Sequence, residues 1–310
     1  MCGVLPVFVS SFNSGTEAII ELLNSNRSES VLVPQNLCPD VIRALIGSGF
    51  LVTLAEVESH DRPPNYHRYL SEDHGIDTVL FVHPYGVYDD SVAGLTDGLG
   101  RDVFVIEDCC LCDLVLFISS SRMRDSAWYV FSFGYSKVID LDGGGLVIGP
   151  RALPSATKTE RSVSRFGKIV TLTEDHQAFG DLKSFLVSDF FSKLRSLHGQ
   201  IQEHAQLNRH RLDQILADKA VIRSPWRYVY FAKEMSHVEL LRQRIQRNDM
   251  DLFFGVNYPL WLINDAGTLI QDQTREGDIG IPINLFTDFR VTEEQVARVA
   301  KFAEDLLLCA

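Results

Sequence analysis

The sequence predicts an α/β protein: a mostly parallel central sheet flanked by helices, followed by a smaller C-terminal α+β domain. Three observations predict it. Between residues 31 and 148 short apolar β runs alternate with helical segments, the pattern of parallel strands joined by helical crossovers. Polar and acidic residues, His83 and Asp108 among them, stand at the carboxyl ends of those runs. Open α/β sheets bind their ligands there. From about residue 176 to 217 the pattern turns helical and charged, which reads as a connector. The expected division is therefore a large domain over 1–200 and a small one over 201–310.

The elements follow in order. Ser14-Gly15-Thr16-Glu17 is a capping box, with Ser14 at the N-cap and Glu17 at the third helical position, and Ala18, Ile19, Leu22 and Leu23 follow at helical spacing. Val31 to Pro34 reads as a buried strand, Pro39 to Ile46 as a helix closed by Gly47-Ser48-Gly49, and Phe50 to Leu54 as the next strand. Residues 59–75 are polar, carry Pro63-Pro64, and read as irregular loop. Thr78 to Val82, Val103 to Ile106, Trp128 to Phe133 and Leu146 to Ile148 supply further strands. In the C-terminal part, Arg227 to Phe231 reads as a strand and Val238 to Gln246 as a helix. Tyr258 to Ile263 and Gly280 to Ile283 read as extended. A second capping box, Thr292-Glu293-Glu294-Gln295, opens the last helix, whose buried stripe is Val296, Val299, Phe302 and Leu306.

Composition narrows the function. The 310 residues are 45% hydrophobic and 23% charged, as in an ordinary globular protein, and the net charge is −12. With no basic stripe to displace counterions, a nucleic-acid partner is not expected. No apolar run approaches the roughly 20 residues of a membrane helix, so no membrane partner is expected either. Met1-Cys2-Gly3-Val4-Leu5-Pro6 lacks a basic n-region, so no secretory signal is expected. The six cysteines form no regular disulfide framework, which fits reduced thiols and a cytoplasmic location. Cys109, Cys110 and Cys112 crowd beside Asp108 without a second Cys/His pair nearby in sequence. They read as small buried hydrophobes near a cleft, and no metal is expected.

The most informative pair is Lys137 with Asp108. Lys137 closes the strand-like run Phe131-Ser132-Phe133-Gly134-Tyr135-Ser136-Lys137, ahead of Gly143-Gly144-Gly145. Asp108 ends Val103-Phe104-Val105-Ile106-Glu107-Asp108, and an acid ending a buried apolar strand is costly without a cationic partner. These blocks resemble the core of pyridoxal-phosphate enzymes of the aspartate aminotransferase fold (fold type I), and more closely the DegT/DnrJ/EryC1/StrS family of sugar aminotransferases. The resemblance implies pyridoxal 5'-phosphate as cofactor, Lys137 as its Schiff-base lysine and later proton carrier, and Asp108 as the partner of the ring nitrogen. It also implies that Ser14, Gly15 and Thr16 hold the cofactor phosphate at a helix N-terminus, together with Ser132. His83-Pro84-Tyr85-Gly86 resembles a His-x-x-Gly element at a strand end. Two readings of His83 stand, a packed core histidine or a cofactor-binding residue.

The chain also departs from the family pattern. Only residues 1–13 precede Ser14, fewer than the resemblance implies. Leu111 stands where a glutamine is implied for the cofactor's phenol oxygen. Pro34-Gln35-Asn36-Leu37-Cys38 offers no aromatic to stack on the ring, so Cys38 or Asn36 is placed over it instead. A Gly-x-Asn-x-Arg element is not evident between 150 and 200. Candidate substrate contacts are Tyr85, Tyr88, Asn257, Tyr258 and Trp261. The expected activity is transfer of an amino group from a small-molecule amino donor to a keto sugar nucleotide or related secondary-metabolite ketone, by a two-fold homodimer. The alternatives are another reaction of the same cofactor (elimination, decarboxylation or condensation) and a non-catalytic degenerate homologue.

Overall fold

The computed structural model describes residues 7–307 apart from 59–61, 73–74, 96–101, 121–122, 125–126, 135–136, 142, 155–160, 164–169, 173–179, 217–220, 225–226, 233, 249–253, 257–279 and 288–290. The expected strand over Tyr258 to Ile263 lies outside these residues. The chain divides after His198 into two compact units, Met1–His198 and Gly199–Ala310.

In the first unit the order is β1 (Phe8–Phe12), α1 (Gly15–Asn26), β2 (Ser30–Pro34), α2 (Pro39–Gly47), β3 (Leu51–Ala55), α3 (Tyr66–Ser71), β4 (Thr78–Val82), β5 (Phe104–Asp108), α4 (Leu114–Ser119), β6 (Trp128–Ser132) and β7 (Gly145–Gly149). The hairpin β8 (Arg161–Val163) with β9 (Val170–Leu172), then β10 (Gly180–Asp181) and α5 (Leu182–Leu186), lead into the 28-residue α6 (Asp189–Leu216). The main sheet runs β10-β1-β7-β6-β5-β4-β2-β3. β2 to β6 are parallel, while β7, β1 and β10 add antiparallel pairs at one side.

The inner strands β2 and β4 are mostly apolar because both faces are covered: all five residues of β2 are buried. β3 is the edge strand, with Leu51 and Leu54 exposed. The chain turns outward from β2 to β3 and then returns to β4 on the other side of β2, so the order reverses there. β2 and β4 pair only at Val31↔Thr78 and Leu32↔Val79 and then part. The hydroxyl of buried Tyr66 takes up part of the orphaned backbone, donating to Leu80 O (3.3 Å).

Three elements differ from the expectation. β1 carries two serines, and both are buried; Ser10 Oγ accepts Leu153 N (3.1 Å), so the strand shows no polar face to read. α3 lies inside the expected loop, and only Tyr66 and Leu70, one turn apart, are buried in it. β6 stops at Ser132, so Lys137 stands on the loop after it. The Phe133 N–H still bonds Gly144 O (2.9 Å), the last rung of the β6–β7 register, but Phe133 O takes both Leu141 N and Gly143 N, which turns the chain out of the sheet.

The second unit is an α+β sandwich. β11 (Val221–Arg223), β12 (Arg227–Ala232), β14 (Ile281–Phe286) and β13 (Phe254–Val256) form an antiparallel sheet in that order, covered by α7 (Met235–Gln246) and α8 (Glu293–Leu307). Its core joins Leu212, Tyr228, Val238, Leu241, Ile283 and Val296. The capping box of α8 is formed: Thr292 Oγ1 accepts Gln295 N (3.3 Å), and Gln295 Oε1 accepts Thr292 N (2.9 Å). Among the described residues no helix is long and apolar enough to cross a membrane.

Candidate functional site

The glycine triplet has a mechanical explanation. Gly143 and Gly144 take φ of 137° and 115°, which side-chain-bearing residues avoid. A Cβ on Gly145 would lie 2.3 Å from the Ser14 carbonyl oxygen. Gly144 N bonds Asn13 O (2.8 Å), and Leu141 N and Gly143 N both bond Phe133 O (2.8 and 3.1 Å). These contacts close the neck of the 134–143 loop, which carries Lys137, and clamp it beside the start of α1.

That start is capped as the sequence predicts, with Ser14 Oγ accepting Glu17 N (3.0 Å). The Glu17 carboxylate reaches back one residue further than a capping box requires, to Asn13 N (2.9 Å). Gly15 and Thr16 occupy the first helical positions, whose N–H groups have no intrahelical acceptor and suit an anion. A Cβ on Gly15 would lie 2.8 Å from Cys110 Sγ and 3.4 Å from Ser132 Oγ. Ser14, Gly15 and Ser132, far apart in sequence, therefore meet, with Cys110 between them and Asp108.

Asp108 ends β5 and is buried. Its Oδ1 accepts Cys110 N at 2.8 Å. Lys137 is half-buried, and its charge is felt at the Cys110 thiol. An anion cradle at the α1 start, a buried carboxylate joined to it through Cys110, and an amine on the adjoining loop are the donor set that a phosphate-bearing cofactor with a basic ring nitrogen fits. Among the described residues no group of three His, Cys, Asp or Glu could hold a metal ion.

Glu107 points to the other face of β5 and is wholly buried. It accepts His83 Nε2 (3.1 Å), Tyr88 OH (3.2 Å) and Arg124 Nη2. His83 Nδ1 accepts Asp89 N (3.1 Å), so the ring proton sits on Nε2 and both nitrogens are engaged inside this network. Arg124 lies on the segment before β6 and also reaches Val92 O (3.5 Å), and its N–H donates to Tyr129 OH (2.7 Å). Sequence reading missed this network; two adjacent acids in a buried run were the available signal, since one of them needs a cation from elsewhere. Burial, with the Glu107 charge behind it, pushes the Tyr129 phenol up to about 12. A raised phenol holds its proton in the folded state after the unfolded chain has lost it. Stability is thus expected to be level below about pH 10 and to fall between about 10 and 12. Urea unfolding at stepped pH checks this, and Tyr129→Phe should flatten part of the slope.

The remaining candidates are dispersed. Tyr85 is buried with φ 52°, strained for an aromatic residue, and the next residue, Gly86, has no room for a Cβ, which would lie 2.1 Å from Leu111 O. Cys38 is exposed, at the N-cap of α2, and caps nothing with its side chain. Asn257, Tyr258 and Trp261 lie outside the described residues.

No protein-family model matches this chain, and no curated protein sequence does. Solved structures do. The Helicobacter pylori aminotransferase PseC, involved in the biosynthesis of pseudoaminic acid, superposes with a TM-score of 0.65 at 14% identity, over 97% of this chain and 87% of that one. DesV of S. venezuelae, solved with a ketimine intermediate, gives 0.64 at 14%, over 96% and 84%. A GDP-4-keto-6-deoxymannose-3-dehydratase, holding a trapped pyridoxal phosphate–glutamate adduct, gives 0.64 at 13%, over 95% and 87%. The chain shares the fold of these enzymes, with the mostly parallel, helix-flanked sheet that the sequence predicts.

Proposed function

We propose that this protein is a pyridoxal-phosphate-dependent aminotransferase, moving an amino group from an amino acid to a keto sugar nucleotide or a related ketone. The observation that carries the reading is the convergence of the α1 N-terminus, Ser132, Asp108 and Lys137, held together by the glycine-triplet neck. Gly15, Thr16 and Ser132 would hold the phosphate, with Ser14 capping the helix that presents them. Asp108 would sit on the ring nitrogen and keep it protonated; Lys137 would anchor the cofactor covalently. Bound there, pyridoxal phosphate supplies an electron sink for charge developing on the substrate carbon. Once displaced by the substrate amine, Lys137 Nζ would carry the proton between the substrate carbon and the cofactor carbon. His83, engaged with Glu107, serves the site by fixing the end of β4. A cytoplasmic two-fold homodimer completes the proposal.

Leu111 favours a second reading, elimination or another reaction of the same cofactor, because the glutamine implied for the phenol oxygen is absent. The test is uptake of pyridoxal phosphate by the purified protein, borohydride fixation mapped by mass spectrometry, and a screen of amino donors. Fixation at Lys137 with release of the keto acid matching a donor is expected. An altered carbon skeleton that keeps its amino group would move the second reading ahead. No uptake at all would leave a non-catalytic homologue.

A further inference from the structure

We propose that the crevice at the carboxyl ends of β3 and β4 is a second binding site, which takes a free α-amino acid with a bulky apolar side chain. The site is separate from the cofactor cradle and does not depend on the pyridoxal-phosphate reading above.

The topology opens the crevice. The sheet order reverses at β2, with β3 on one side and β4 on the other, and β2 and β4 part after two paired positions. Open α/β sheets bind ligands at such a point, beyond the carboxyl ends of the strands. A cavity of about 570 Å³ lies there, within the usual range of small-molecule sites. It opens on the sheet face away from Asp108, because Phe81 in its floor stands opposite Glu107 in the register while Val82 stands opposite Asp108. The floor is apolar and fixed. Tyr66, Phe81 and Leu95 form it and are buried, and the Phe81 ring is held between Tyr66 (centroids 5.5 Å apart) and His83 (5.2 Å). A floor that is already rigid costs little entropy to bind against. Two opposite charges face the cavity from its rim, Arg62 and Glu58, both exposed. Among the described residues they form no ion pair with each other or with a third group. A cation and an acid over one apolar floor match a zwitterion that carries an apolar side chain. The ligand carboxylate pairs with the planar Arg62 guanidinium, its ammonium pairs with Glu58, and its side chain leaves water for the floor. A phosphate-rich ligand fits less well, because Glu58 stands at the same rim and repels it.

The experiment titrates L-phenylalanine into the full chain by calorimetry, beside 3-phenylpropionate, which lacks the ammonium, and phenethylamine, which lacks the carboxylate. Wild type is compared with Arg62→Ala and Glu58→Gln. Both side chains are exposed, so neither substitution endangers the fold. Arg62→Ala is expected to weaken L-phenylalanine and 3-phenylpropionate about fivefold, the weight of a solvent-exposed ion pair, and to leave phenethylamine unchanged. Glu58→Gln is expected to weaken L-phenylalanine and phenethylamine by about the same factor and to leave 3-phenylpropionate unchanged. This crossed pattern also separates the crevice from the cofactor cradle, which contains neither residue. No binding of L-phenylalanine to the wild type would overturn the proposal. Binding that is indifferent to both substitutions would place the amino acid elsewhere and overturn it too. Equal losses for all three ligands in either variant would do the same, since the rim would then act through shape without pairing to a ligand charge.

Discussion

Lys137→Ala is expected to abolish covalent retention of pyridoxal phosphate and to lower amino-group transfer by on the order of 10⁴-fold. Two losses combine in that figure: no amine remains to attach the cofactor, and none remains to carry the proton at the substrate carbon. Lys137→Arg should do no better, because a guanidinium stays protonated and cannot serve either role. Folding should change little. The neck of the loop is closed by backbone bonds at Phe133, Leu141, Gly143 and Gly144, and Lys137 N bonds Gly134 O (3.2 Å) whatever side chain follows. Borohydride reduction followed by peptide mass mapping checks the first loss, and single-turnover keto-acid release checks the second. Fixation at another lysine in the variant, with activity kept, would remove Lys137 from its assigned role.

Much of the fold could be read because local chemistry and burial coincide. β2 and β4 are apolar on both faces, and both capping boxes lie directly before amphipathic helices, so pattern and structure agree. β1 could not be read, since both of its serines are buried, Ser10 bonded to Leu153 and Ser11 Oγ without a hydrogen-bond partner among the described residues, an arrangement the sequence does not announce. Lys137 closes a strand-like run in the sequence, but the ladder ends at the Phe133–Gly144 rung, where Phe133 O takes Leu141 N and Gly143 N, contacts that form only in three dimensions. The site shows the same contrast. Ser14, Gly15, Ser132, Asp108 and Lys137 were legible as types at intervals. Cys110 reads in the sequence as a small buried hydrophobe beside a cleft, because its contacts come from α1 and β6, and His83 keeps two readings there because Glu107 and Asp89 come to hold both of its nitrogens only in the fold.

The largest expected effect on stability comes from the other face of β5. Arg124→Ala should destabilise the protein by about 3–5 kcal/mol, the usual consequence of stranding a buried charge. Glu107 has no access to solvent, and its remaining donors, His83 Nε2 and Tyr88 OH, would have to hold the carboxylate alone. Removing the charge as well should help. Glu107→Gln combined with Arg124→Ala is expected to be more stable than Arg124→Ala by itself, because a neutral amide costs less to bury than a carboxylate. The signature is a coupling of about 1–3 kcal/mol in a double-mutant cycle, read from urea unfolding of the cofactor-free protein. Additivity within about 0.5 kcal/mol would show that the pair does not act as a unit. The network binds the 83–92 segment, β5 and the segment before β6, and Asp108 follows Glu107 directly on β5. Arg124→Ala should therefore weaken cofactor affinity too, although neither Arg124 nor Glu107 is placed in contact with the cofactor. If stability falls while affinity holds, Asp108 is positioned by Cys110 and the β5 ladder without help from the buried pair behind it.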